Sequence, residues 1–167
     1  MRAAQISLTN YFVSDLQFTA NQAFDSDKPS RLEIADLQLT RAATAKTEDR
    51  RNWELNLRVA LNASPERNLP CSFVVSIVGF ISVDSAVSDE NVERFVNING
   101  TSLVFSVARE IVRAVTTRGP FRSILLPTVT FWEPKPEKSS QPAGAEEPEK
   151  DEAASSSARG SDLSPKV

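Results

Sequence analysis

Trp53-Glu54-Leu55-Asn56-Leu57-Arg58-Val59-Ala60-Leu61 decides the fold class. Apolar side chains fill every odd position, and mostly polar ones fill the even positions between them. Successive residues of a strand point to opposite faces, so the stretch reads as a strand with one apolar and one mostly polar face. Downstream, residues 62–70 carry Pro65 and Pro70 and should turn the chain. Residues 71–83 then form a second strand. It is apolar on one parity at Phe73, Val75 and Ile77, and on the other at Val74 and Val78. Such a strand is covered on both faces, by its own chain or by a partner. Gly79 interrupts it and predicts a bulge or a close backbone approach.

Upstream, residues 47–52 are a charged connection, and residues 32–47 are expected as a longer strand with Leu37 and Leu39 on one parity. Residues 21–30 are polar, include Pro29 and read as a loop. Residues 6–19 form the opening strand, with Phe12, Leu16 and Phe18 sharing a parity and so expected on one face.

After Asp84 the period changes. Ser88 is placed to cap a short helix through Val96, with Asp89 and Glu90 in its first turn. A second helix should begin near Asn99 or Thr101, with Gly100 as a start signal, and end at Arg118. Leu103, Val107, Ile111 and Val115 recur every four residues, and Val104, Ala108 and Val112 widen the stripe. Glu110 is positioned to pair with Arg113. Gly119-Pro120 stops the helix, and residues 124–131 form an apolar, Pro-bearing stretch able to cross the body.

Residues 133–167 differ in kind. They hold Pro134, Pro136, Pro142, Pro148 and Pro165, and their only large apolar residues are Leu163 and Val167. Ordering costs about 1–2 kcal/mol per residue, which so little apolar surface does not offset. A domain at 1–132 followed by a disordered, acidic tail at 133–167 is expected. The tail carries the whole net charge of −3, since the body has 14 basic and 14 acidic residues.

The sequence is poor in reactive groups. It contains no histidine and a single cysteine, Cys71, so imidazole chemistry and an intramolecular disulfide are excluded. Cys71 follows Pro70 at a strand start with no cationic neighbour to lower its pKa. The acidic residues lack metal-loop spacing, and no Gly-rich phosphate cradle occurs. No catalytic residue, metal or cofactor is expected, and the chain is read as a non-enzyme. A neutral body without interleaved aromatic and basic residues argues against a nucleic-acid partner. No apolar run approaches the roughly 20 residues of a membrane span. The opening residues lack a signal peptide's apolar centre, so a cytoplasmic location is expected.

Three ordered stretches resemble the export chaperone family SecB. They are Tyr11-Phe12-Val13-Ser14-Asp15-Leu16-Gln17-Phe18, then Gly79-Phe80-Ile81-Ser82-Val83, then a composite third. That third runs from Phe105-Ser106-Val107-Ala108-Arg109-Glu110-Ile111 through Arg118-Gly119-Pro120-Phe121 to Leu126-Pro127-Thr128-Val129-Thr130-Phe131. The resemblance implies an α+β fold, a four-stranded antiparallel sheet with helices packed on one face. It implies a homotetramer, a dimer of dimers, that binds unfolded or precursor polypeptides in apolar grooves without ATP and hands them to the motor SecA.

On that basis Val74, Val78, Leu37 and Leu39 are the candidate client contacts. Phe73, Val75 and Ile77 are expected under helix or at the oligomer interface. Asp15 matches one of the family's acidic partner contacts, while the other two such positions fall on the uncharged Thr19 and Val74. That departure keeps two alternatives open: a specific adaptor that kept the fold, and a SecB-like chaperone dedicated to an antitoxin and independent of SecA.

Overall fold

A computed structural model of the chain describes residues 4–46, 50–63 and 66–132. The expected tail at 133–167 and parts of the connections at 47–49 and 64–65 lie outside the described residues. Four strands, β1 (Ile6–Ala20), β2 (Leu37–Ala45), β3 (Asn52–Leu61) and β4 (Cys71–Val83), form one antiparallel sheet in the order β1-β4-β3-β2. Helix α1 (Asp89–Phe95) continues through a π-helical turn at Val96–Gly100 into α2 (Thr101–Thr116). The expected α+β fold, antiparallel with helix on one face, is what the chain adopts.

The register assigns the faces. Trp53, Leu55, Leu57, Val59 and Leu61 of β3 stand opposite Ile81, Gly79, Ile77, Val75 and Phe73 of β4. Together with Val96, Val104, Phe105, Ala108 and Val112 of the helix they make the buried core. Gly79 is the point of closest approach. A Cβ built there would lie 2.6 Å from Val104 Cγ2, so the helix seats where β4 lacks a side chain. Gly100, expected as a start signal, lies inside the continuous helix. A Cβ there would sit 3.4–3.5 Å from Val96, Ile81 and Leu55, so it lets the π turn press on the sheet.

The bulges fall on β1, opposite β4, rather than on β4 itself. Register shifts occur between Leu8 and Asn10 and between Val13 and Asp15, leaving Thr9 and Ser14 as the extra residues. Their hydroxyls donate to the β4 carbonyls of Phe80 (3.0 Å) and Ser76 (3.2 Å). Each extra residue flips the parity that follows it. Phe12 therefore pairs with Val78 on the outer face, while Leu16 and Phe18 pair with Val75 and Phe73 on the helix face. The expectation that these three residues share a face is corrected by the bulge at Ser14.

Strand β2 begins later than expected, at Leu37. The Asp36 carboxylate accepts a bond from the Glu33 N–H at 2.8 Å, and Ile34–Asp36 winds into a 3-10 turn instead of extending. The stretch after the helix crosses the body as expected. Ile124 and Leu126 are buried, and Phe131 meets Phe105 edge-on with centroids 5.6 Å apart. No helix among the described residues is long and apolar enough to cross a membrane.

Candidate functional site

The connection from β1 to β2 passes over one end of the sheet, and two side chains pin it there. Asn21 donates through Nδ2 to Leu69 O at 2.8 Å. Asn68, held at φ 45°, accepts from the Asp25 N–H at 2.9 Å and donates back to Asp25 O at 2.9 Å. Asparagine tolerates this left-handed conformation better than most residues. Arg67 adds a 3.0 Å ion pair to Asp36. Within the connection, the Asp27 N–H and then Lys28 hold the Asp25 carboxyl below the usual carboxylate range.

Opposite this connection lies the segment that leaves α2. Thr116 is its anchor. Its carbonyl accepts from the Gly119 N–H at 3.1 Å, and its hydroxyl accepts from the buried Ile124 N–H at 2.9 Å. Further on, Arg109 Nε donates to Leu126 O at 3.0 Å. Arg109 thus holds the crossing segment, whereas Glu110 forms a surface pair with Arg113 at 2.7 Å.

Between connection and segment opens a cleft of about 770 Å³ of mixed character, with Phe24, Leu32 and Leu125 among its walls beside the basic Lys28, Arg31 and Arg122. A second cleft, of about 190 Å³, runs toward the sheet and is walled by Phe18, Cys71 and Val115. The two share Pro70, Pro120, Phe121 and Arg122. Burial in the second cleft pushes the Cys71 thiol up to about 11, because water no longer solvates the thiolate. A nucleophilic role does not suit such a thiol. Among the described residues no group of His, Cys, Asp or Glu could hold a metal ion.

A second apolar surface lies on β1. Tyr11, Val13 and Leu16 face the helix side, opposite Gly79, Ile77 and Val75, yet are 47%, 37% and 46% exposed. On the other face Phe12 touches Phe80, whose ring also receives Lys46 Nζ 4.2 Å from its centroid.

The sequence candidates scatter across these surfaces. Leu37 is buried in the core, and Leu39 packs half-buried against it. Val78 is buried and Val74 half-buried on the outer sheet face, and none of the four lines either cleft. Phe73, Val75 and Ile77 are buried beneath the chain's own helix. Asp15, Thr19 and Val74 do share the outer face. Residues of that face include the acidic Asp15 and Glu54 and the basic Arg58 and Lys46, so it has no acidic bias. Sequence reasoning passed over Phe24, and it read Phe121 as part of a family-like turn without giving it a place in a site. The available signal was an aromatic residue in a polar, Pro-bearing loop, where no strand or helix period calls for one.

The family model for SecB, the preprotein translocase subunit, matches residues 1–133. This chain belongs to the SecB family. A solved structure of a Mycobacterium tuberculosis SecB-like chaperone, in complex with a ChAD peptide from an antitoxin, is similar in fold. It is 11% identical, with a TM-score of 0.53, and the match covers 78% of this chain and 94% of that one. A protein of unknown function from Streptococcus agalactiae matches at 14% identity and a TM-score of 0.38, over 75% of this chain and 99% of that one. No curated protein matches the sequence. The sheet order, the helix and the crossing segment described above are thus this chain's version of a SecB fold.

Proposed function

We propose that this SecB-family protein is an ATP-independent holdase that keeps unfolded polypeptides in the two joined clefts. The observation that carries this reading is a pair of adjacent clefts, meeting at Pro70, Pro120, Phe121 and Arg122 and holding apolar side chains, that the chain's own pinned segments already form. A bound segment would gain roughly 25 cal/mol per Å² of buried apolar surface before its ordering cost. Contacts of that kind tolerate many sequences, and a folded protein hides the segments that could make them. The chaperone themes of the family and the peptide carried by the mycobacterial neighbour support the same reading.

The exposed strip on β1 supports self-association. Among the described residues β1 is an edge strand of 15 residues, and its exposed Tyr11, Val13 and Leu16 make it a template for a second copy. We place the interface of the proposed tetramer there rather than on Phe73, Val75 and Ile77, which the helix already covers. Joined copies would bring several grooves to one client, and multivalency would raise the affinity of weak contacts. A cytoplasmic setting and export of precursor polypeptides belong to this proposal.

One observation favours the dedicated-client alternative. Asp15 is flanked on the outer face by Gln17, Thr19 and Val74, so any SecA contact there would lack the charge density of a carboxylate cluster. The decisive experiment is suppression of aggregation of a slowly refolding client at stoichiometric amounts, with light scattering to follow the complex. Suppression across unrelated clients is expected. Suppression limited to one client would select the dedicated reading, and none at all would overturn both.

A further inference from the structure

Phe121 lines both clefts, and its ring rests on that of Phe24 with centroids 4.8 Å apart and planes tilted by 59°. The ring therefore stands at the junction of the two spaces, on the wall formed by the segment after α2. The segment that carries it is fixed in an unusual way. The N–H groups on either side, from Gly119 and Ile124, are both accepted by Thr116, one by its carbonyl and one by its hydroxyl. Among the described residues, no backbone hydrogen bond to main chain is found for residues 120–123. The four residues form a small flap whose two ends are both held by Thr116, and the ring contact between Phe121 and Phe24 of the β1–β2 connection spans the cleft.

We infer that Phe121 is an internal plug: in the free protein it occupies the junction of the groove, and a client segment must displace it to use both clefts. This rests on the proposed groove. The physical consequence follows from population arithmetic. If only a fraction of molecules has the flap open, apparent affinity falls by that fraction. The plug would raise the threshold for binding, so short or weakly apolar segments fail while longer ones succeed. Pro120 limits the backbone freedom of the flap, so opening is a swing about the Thr116 anchor rather than a local melting.

The test uses the full chain and a permanently unfolded probe, reduced and carboxymethylated α-lactalbumin, with binding followed by fluorescence anisotropy. Phe121→Ala removes the plug, and the expected result is about three- to tenfold tighter binding, the scale set by loss of one aromatic pair. Phe24→Ala removes the other ring and should tighten binding similarly. The double variant should gain little over either single one, since either change opens the junction. Phe121→Leu, which keeps apolar bulk without the ring contact, checks that the gain is not a folding artefact, and each variant's thermal melt is recorded. Weaker or unchanged binding by Phe121→Ala, with wild type binding the probe, overturns the plug and leaves the groove standing. Wild type failing to bind at all overturns the groove reading, and the plug falls with it.

Discussion

Leu16 and Val75 are register partners on the same face of the same sheet, yet Val75 is fully buried and Leu16 is 46% exposed. The difference lies in what passes above them. Helix α2 packs on β3 and β4, where Gly79 lets it descend, and the helix meets β1 through its π turn. The ends of β1 are half-buried through Ile6, Leu8 and Phe18, while Tyr11, Val13 and Leu16 between them lack cover. Two regions with one hydrophobic pattern therefore have different fates. The pattern states which side chains avoid water, and the reach of the helix states which of them the chain satisfies by itself. What is left over on β1 is the strongest physical argument for a second copy.

The sharpest way to break this comparison is to truncate one residue in each region. Leu57→Ala empties space under the helix and should cost about 2–5 kcal/mol of stability, read from urea denaturation. Leu16→Ala should cost less than about 1 kcal/mol under conditions where the chain is monomeric. It should instead weaken self-association, seen as a lower mass in light scattering at micromolar concentration. Equal stability losses at the two sites would mean that β1 is covered in solution by its own chain.

Gly79→Ala probes the boundary between the regions. The added methyl would meet Val104 Cγ2 at 2.6 Å and Leu8 Cδ1 at 3.1 Å, so helix and β1 must both shift. A loss of about 1–3 kcal/mol is expected, the usual range for overpacking. Combining it with Val104→Ala should return part of that loss, and a strictly additive pair would show that the contact is not the cause.

Legibility in the sequence divides along the same line. The four strands were readable because their alternation is written into residues such as Trp53, Leu55 and Leu57, and β4 was bounded correctly at 71–83. The helix was readable from its stripe, although the buried line is Val104, Ala108 and Val112 while Leu103, Val107, Ile111 and Val115 are half-buried. Gly100 looked like a break because glycine commonly marks helix ends. Only the packed sheet shows it is needed for close approach. The bulges at Thr9 and Ser14 were invisible, since parity in the sequence counts residues and a bulge miscounts them. The cleft was least legible of all. Its walls are Phe24, Leu32 and Phe121, in irregular segments without a period, and they meet only because Asn68, Arg67 and Thr116 tie distant backbone together.

Thr116→Val tests that last kind of tie. Valine keeps the shape but removes the acceptor for the Ile124 N–H, leaving a buried donor without its partner. Stability should fall by about 1–2 kcal/mol, within the range for an orphaned donor. Hydrogen exchange at Ile124 should quicken far more than at Leu57. Uniform acceleration across both would place the loss in the core instead of in the wall of the groove.

The last effect is a pH dependence, absent at neutral pH and emerging only in alkali, at the join of the two regions, where Cys71 of β4 pairs with Ala20 at the end of β1. Burial raises its thiol to about 11 from the ordinary 9.0, so between these values the folded chain keeps a proton that the unfolded chain has lost. The unfolded state then binds fewer protons, and stability declines as pH rises through this window. The contribution is complete below pH 9 and gone above pH 11. Cys71→Ala removes it, so the stability difference between wild type and variant should be flat up to pH 9 and narrow steadily beyond. Alkylation by iodoacetamide gives an independent reading. At pH 8 the native thiol should react about a hundredfold more slowly than an unfolded one, because so little thiolate forms. Opening the flap with Phe121→Ala should admit water to this cleft and speed the reaction, whereas Leu16→Ala should not. Acceleration by both would mean that the strip on β1 and the floor of the groove are one continuous surface, and the distinction between them would be lost.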